Sequence, residues 1–344
     1  MTSLSEELRP VWDDYGTAWC ESVAPLENQA GEVWMPLYYH ADEILCLQTS
    51  DRKTTYQPGR DFCLENGGIR LLPDTRIRTV SWTEQHPVDQ TDHTYGGRNG
   101  VPFVLYGEGA FLHERQLAVT YRHADAWQGT LPTQSSENLP RFRQALNEQR
   151  NFRLVIYGDS IAEGANATER SGVAPLLLPF GELFAANLMQ SYPVQVDVIN
   201  TALGGTTSEW GAQNATERVT AYAPDFVVLA FGMNDGSCHH APEDFQRNMQ
   251  SIIETVRAAR SDTEFLLVSS ICANPEACLY GNQEEFAPVL RELCGEGIAF
   301  ADMTAMHQEL LTRKRYMDMT GNNVNHPNDY LHRIYAQILT SLVK

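Results

Sequence analysis

The chain has 344 residues, of which 44 are acidic and 25 basic, for a formal net charge of −19, and 42% are hydrophobic. That length and apolar content suit one large domain or two ordinary ones with a sizeable core. Nucleic-acid-binding and anionic-membrane-binding proteins neutralise phosphate with Lys and Arg, so neither partner is expected for so acidic a chain.

The first residues, MTSLSEELRPVWDDYGTAWC, lack the basic start and apolar core of a secretory signal. No stretch approaches the ~20 apolar residues of a membrane span. Seven cysteines, at 20, 46, 63, 238, 272, 278 and 294, form no CxxC pair. Free thiols in a reducing compartment are the simplest reading, and a cytoplasmic location is expected.

Residues 1–125 carry short runs rich in Tyr, Trp, Val, Thr and Leu: GEVWMPLYYH, EILCLQTS, GGIRLLP, TRIRTVSWTE, VPFVLYGEG and LAVTYRHAD. Turn-forming QPGRD, ENGG and YGGRNG interrupt them. Strands at this spacing without intervening helices predict an antiparallel, jelly-roll-like β-sandwich over 1–135. Residues 128–138, QGTLPTQSSEN, read as a linker. From 136 to 344 the pattern changes. A helix, LPRFRQALNEQ, leads into a strand, FRLVIYG. Strand-like VQVDVIN, DFVVLAFG and EFLLVSS then alternate with helix-like APLLLPFGELFAANLMQSY, EDFQRNMQSIIETVRAAR and EEFAPVLRELCGE. That alternation predicts an α/β domain, a parallel sheet with helices on both faces and its ligand at the carboxyl ends of the strands.

The residues after those strands are therefore candidates. Gly158, Asp159 and Ser160 follow the first, NTALGGTTS (200–208) the second and GMNDG (232–236) the third, while NNVNHPND (322–329) precedes a last helix. Ser160 alone could be a helix cap. With an imidazole to take its proton it becomes a nucleophile, and the tetrahedral oxyanion formed by attack on an ester needs donors already aimed at it. A glycine admits a backbone N–H close to that oxygen, and an Asn side chain supplies another.

GDSI, NxxxxG, GMND and the late HP, in this order, resemble the four blocks of the SGNH, or GDSL-type, hydrolase superfamily. The resemblance covers about residues 150–344 and implies a three-layer, flavodoxin-like α/β hydrolase domain. It makes Ser160 the nucleophile, with its own N–H in the oxyanion hole. Gly205 takes the glycine position, with Gly204 the rival if the register shifts by one. Asn234 becomes the side-chain oxyanion donor and His326 the general base. Asp159 and Asp235 fall at positions of structural hydrogen bonding. One block departs from the pattern. The superfamily places a carboxylate three residues before the histidine, and here that residue is Asn323. Three readings stay open: Asn323 orients His326, a backbone carbonyl does, or Asp318 or Asp329 swings in.

His239 and His240 beside Cys238 lack the spaced partners of a metal site, and no metal is expected. His113 and His123 flank QLAVTY and are candidates for a cleft between domains. The N-terminal aromatics either fill a core or offer a sugar-stacking surface, with one wall of the active-site cleft as the region's expected role. A β-sandwich before an SGNH domain is an order similar to that of several bacterial carbohydrate deacetylases. The expected activity is therefore a serine esterase acting on a short acyl ester, acetyl on a carbohydrate, without cofactor. An acyltransferase using the same site, or a decayed enzyme that only binds carbohydrate, are the alternatives. Oligomeric state is not set by the sequence.

Overall fold

The computed structural model describes residues 3–13, 15–132 and 136–343. The boundary expected at 135/136 falls at 133–135, outside the described residues. In the N-terminal part, strands β1 (Thr17–Val23), β3 (Ala41–Thr49) and β8 (Leu117–His123) make one antiparallel sheet in the order β1-β8-β3. Short strands β2 (Trp34–Met35), β4 (Phe62–Glu65) and β5 (Gly68–Leu71) make a second, and β6 (Thr94–Gly96) pairs with β7 (Phe103–Leu105) in a third.

Two local readings change. TRIRTVSWTE forms no strand; Ser81 instead starts the helix Trp82–Gln85. Its hydroxyl accepts from Glu84 N at 3.2 Å while the Glu84 carboxylate accepts from Ser81 N at 2.8 Å. This reciprocal capping box satisfies two orphan donors and outweighs the β propensity of the run. β1, TAWCESV, shows no clean apolar alternation in the sequence, because Cys20 and Glu21 stand side by side within it. Both are buried, and Glu21 meets the buried Lys314 ammonium at 2.5 Å.

The C-terminal part is built on five parallel strands: β9 (Phe152–Gly158), β10 (Val196–Asn200), β11 (Phe226–Ala230), β12 (Glu264–Val268) and β13 (Ile298–Ala301). Their order is β10-β9-β11-β12-β13. Alternate residues feed two cores, as the period of two requires. Val155, Tyr157, Val227, Leu229, Phe265 and Leu267 pack with Phe245, Met249 and Ile252 of the helix Pro242–Ala259. Leu154, Ile156, Val228, Leu266 and Val268 pack on the other face with Phe180 and Phe184 of Phe180–Ser191, and with Leu331, Ile334 and Ile338 of Asp329–Val343. The helix expected over 174–192 begins only at Phe180. Pro179 removes a donor that an earlier start would need, and Leu176 stands at φ +62°, outside the helical region.

That second core does not stop at the linker. Val23, Met35, Leu47, Val119 and Tyr121 of the N-terminal strands belong to the same apolar cluster as Leu154 and Leu331. Among the described residues no helix is long and apolar enough to cross a membrane.

Candidate active site

β9 and β11 are neighbours whose following loops diverge, so their carboxyl ends frame the crevice where α/β sheets hold ligands. At the end of β9, a Cβ on Gly158 would lie 2.0 Å from Ala230 O, so only glycine allows the two strands to stay this close. Asp159, not Ser160, caps the short helix Ser160–Glu163: its carboxylate accepts from Ile161 N at 3.0 Å and from Met233 N of the β11 loop at 3.3 Å. Burial, reinforced by the Asp235 carboxylate and opposed by these N–H groups, pushes its carboxyl up to about 7. Ser160 is thus the first residue of the helix, and its hydroxyl is left for another partner.

That partner is His326. Ser160 Oγ lies 2.9 Å from His326 Nε2, although 166 positions separate them. The His326 loop is cinched by Asn322, whose Oδ1 accepts from Val324, Asn325 and His326 N at 2.9–3.0 Å. On the far side of the ring, His326 Nδ1 faces two oxygens, Asn166 Oδ1 at 3.0 Å and Glu108 Oε2 at 3.2 Å. Both are acceptors, which places the proton on Nδ1 and leaves Nε2 free to accept from the serine.

None of the three readings for the orienting group matches this arrangement. Asn323 turns its side chain away: Nδ2 donates to Leu105 O at 2.9 Å, and Oδ1 faces Asn274 Nδ2. Its backbone, at φ +61°, directs it into that contact. Asp318 is consumed by Arg315 and by Ala24 N at 2.8 Å, and Asp329 by Thr168 N and Oγ1 at 3.0 and 2.8 Å. The acceptors at Nδ1 are side-chain oxygens, so the backbone-carbonyl reading also gives way.

Glu108 and Asn166 were not among the sequence candidates. Glu108 sits in the turn after β7, inside VPFVLYGEG, where a glutamate between glycines reads as ordinary loop chemistry. Its Oε1 accepts from Asn322 Nδ2 at 2.9 Å and from Tyr106 OH at 3.0 Å. Burial would raise this carboxyl; the His326 ring, Asn322 and Tyr106 outweigh that and hold it at about 2. The only advance signal was the unfilled place three residues before His326.

Asn234 lies on the helix Met233–Ser237, its Nδ2 donating to Thr206 O at 2.8 Å and keeping a second N–H in reserve. Gly205 stands at φ +76°, a backbone region that favours glycine. Gly204, the rival position, donates its N–H to Glu163 Oε2 at 2.8 Å, and a Cβ there would sit 3.5 Å from Ser160 Cβ. Asp235 accepts from Ser208 N and Oγ, tying the helix Ser208–Arg218 to the β11 loop. His240 leans on that same carboxylate at 3.3 Å. His113 is buried with Nε2 2.8 Å from Ala174 O, and His123 stacks on Tyr39 at 3.8 Å; both also line small cavities between the N-terminal strands and the last helix, His113 beside Asn328 and Asp329 and His123 beside Tyr330 and Arg333. Among the described residues no three His, Cys, Asp or Glu side chains gather in a way that could hold a metal ion.

The crystal structure of a two-domain esterase (CEX) active on acetylated mannans superposes with a TM-score of 0.50 at 21% identity, over 62% of this chain and 54% of that one. An acetylxylan esterase (Axe2) from Geobacillus stearothermophilus aligns at 0.45 and 18% identity, over 54% of this chain and 91% of its own. Thioesterase 1/protease 1/lysophospholipase L1 of Escherichia coli K12 is 23% identical over 109 residues, 32% of this chain. The chain spans about half the length of that curated relative, 47% of it. The profile of the GDSL-like Lipase/Acylhydrolase family matches residues 156–334, just over half of the chain and the stretch that carries Ser160, Gly205, Asn234 and His326. The chain therefore belongs to the GDSL-like lipase/acylhydrolase family.

Proposed function

We propose that the protein is a serine esterase that hydrolyses a short acyl ester, acetyl on a carbohydrate, through an acyl-enzyme. The observation that carries this reading is the 2.9 Å approach of Ser160 Oγ to His326 Nε2. As Ser160 attacks the ester carbonyl, Nε2 takes its proton, and the same imidazolium returns it to the departing sugar hydroxyl. Water, deprotonated by His326, then attacks the acyl-serine and releases the acid. In both steps the negative oxygen is held by the N–H groups of Ser160 and Gly205 and by the spare Asn234 amide hydrogen. One such donor contributes about 2.7–4 kcal/mol to the transition state. No cofactor takes part in this sequence.

The carbohydrate part of the reading draws on the esterase active on acetylated mannans, which has a similar fold, and on the net charge of −19, which disfavours anionic esters. Residues 1–135, read as a jelly-roll-like accessory domain before a catalytic domain at 136–344, would form one wall of the site. Initial rates on 4-nitrophenyl acetate, for the wild type and Ser160→Ala, test the chemistry: Ser160-dependent hydrolysis is expected, and its absence would favour a carbohydrate-binding role instead. A panel of acetylated oligosaccharides against acyl thioesters and lysophospholipids tests the substrate. Preference for either of the latter would overturn the carbohydrate assignment while leaving the Ser-His chemistry standing. Acetyl found on an added sugar acceptor rather than released as acetate would make the enzyme a transferase.

A further inference from the structure

The part of the chain that carries Ser160 and His326 lacks the carboxylate expected before the histidine. A neutral Asn323 there could orient an imidazole but not balance the positive charge it acquires during catalysis. The N-terminal part places a carboxylate at the same ring nitrogen. Glu108 Oε2 lies 3.2 Å from His326 Nδ1, across 218 positions of sequence.

We propose that Glu108, from the turn after β7, is the charged positioning residue of His326, so that the active site is shared between the N-terminal β region and the α/β sheet. This inference rests on the esterase reading above.

Three features hold the carboxylate in place. Asn322, the residue that cinches the His326 loop, donates to Glu108 Oε1 at 2.9 Å, so one side chain fixes both partners. Tyr106 donates to the same oxygen at 3.0 Å. Asn323, the residue standing at the vacated acid position, donates to Leu105 O at 2.9 Å and pins the end of β7 against the loop. The vacated position thus anchors the strand that delivers the replacement. Further ties keep the two regions in register: Gln116 Nε2 donates to Met317 O and Thr320 O at 2.8 Å, and Asn328 Nδ2 donates to Ser22 Oγ and Gln116 Oε1 at 3.0 Å.

Asn166 Oδ1, at 3.0 Å from the same Nδ1, divides the work. It is buried and neutral, so it orients the ring; Glu108, its side chain 46% exposed, supplies the charge. Water screens a half-exposed carboxylate, so its removal costs less than loss of the buried aspartate of a Ser-His-Asp triad.

The test is Glu108→Gln, which keeps size and an oxygen acceptor but removes the charge. On 4-nitrophenyl acetate kcat is expected to fall roughly 10- to 100-fold with KM unchanged, and Glu108→Asp to recover part of the loss. The low-field proton resonance of His326 Nδ1–H, recorded in the protonated enzyme and assigned by its loss in His326→Ala, is expected to move upfield in Glu108→Gln. A kcat within twofold of wild type would overturn the proposal. So would a fall in kcat with that resonance unmoved, because Glu108 would then act on structure alone. If the wild type shows no Ser160-dependent hydrolysis, the esterase reading fails, and an unmoved resonance would separately refute the Glu108–His326 contact.

Discussion

The two regions of this molecule present opposite relations between sequence and site. In the α/β region the strands β9, β11 and β12 are apolar on both faces, and Ser160, Gly205 and Asn234 follow the ends of strands, with His326 in the loop before the last helix. In the N-terminal region strands run from two to nine residues and pair in three small sheets, and the carboxylate beside the histidine sits in a turn with no marker of its own. A parallel sheet buried on both sides announces its strands by composition and its ligand edge by topology. A contribution made across a shared core is a matter of tertiary placement, which local pattern does not encode.

The largest effect is expected at the nucleophile. Ser160→Ala is expected to reduce kcat on 4-nitrophenyl acetate by roughly four or more orders of magnitude, with the thermal midpoint little changed because Asp159 supplies the helix cap. Asn234→Ala comes next, with a loss of about 10²–10³ in kcat from one oxyanion donor. Retention of full rate would remove Asn234 from the site.

Between the regions, Asn323→Ala leaves Leu105 O without its donor inside a buried contact. Unfolding in urea is expected to show a loss of about 1–3 kcal/mol, with kcat falling less than in Glu108→Gln. The reverse ranking would return Asn323 to the catalytic role its position suggested.

The smallest effect concerns Asp159. Burial pushes its carboxyl up from the ordinary 3.8 to about 7 in the folded protein. Between these values the folded protein holds a proton that the unfolded chain has released, so the stability from this group is full at low pH and declines as pH rises through the window. Thermal midpoints of Asp159→Asn are expected to fall less than those of wild type between pH 5 and 8 (on the order of the 3.8-to-7 window), and parallel curves would contradict the assignment.

Particular residues explain what was legible. FRLVIYG matches β9 residue for residue because an unbroken apolar run before Gly-Asp-Ser has no competing local structure. TRIRTVSWTE misled because Ser81 and Glu84 cap a helix more effectively than Thr and Ile extend a strand. β13 went unread because four residues, IAFA, are too short to declare a period. At the site, Ser160 and His326 were readable from motif order, whereas Glu108 and Asn166 were not. A Glu flanked by glycines and an Asn in a polar loop carry no spacing signature, and only the mismatch at Asn323 hinted that an acid came from elsewhere.

The most direct measurement is to trap the acyl-enzyme. Wild-type protein quenched during turnover of 4-nitrophenyl acetate and digested for mass spectrometry is expected to carry acetyl on Ser160, with no such adduct in Ser160→Ala. Acetyl on a different residue, or hydrolysis that persists undiminished in Ser160→Ala, would contradict the account.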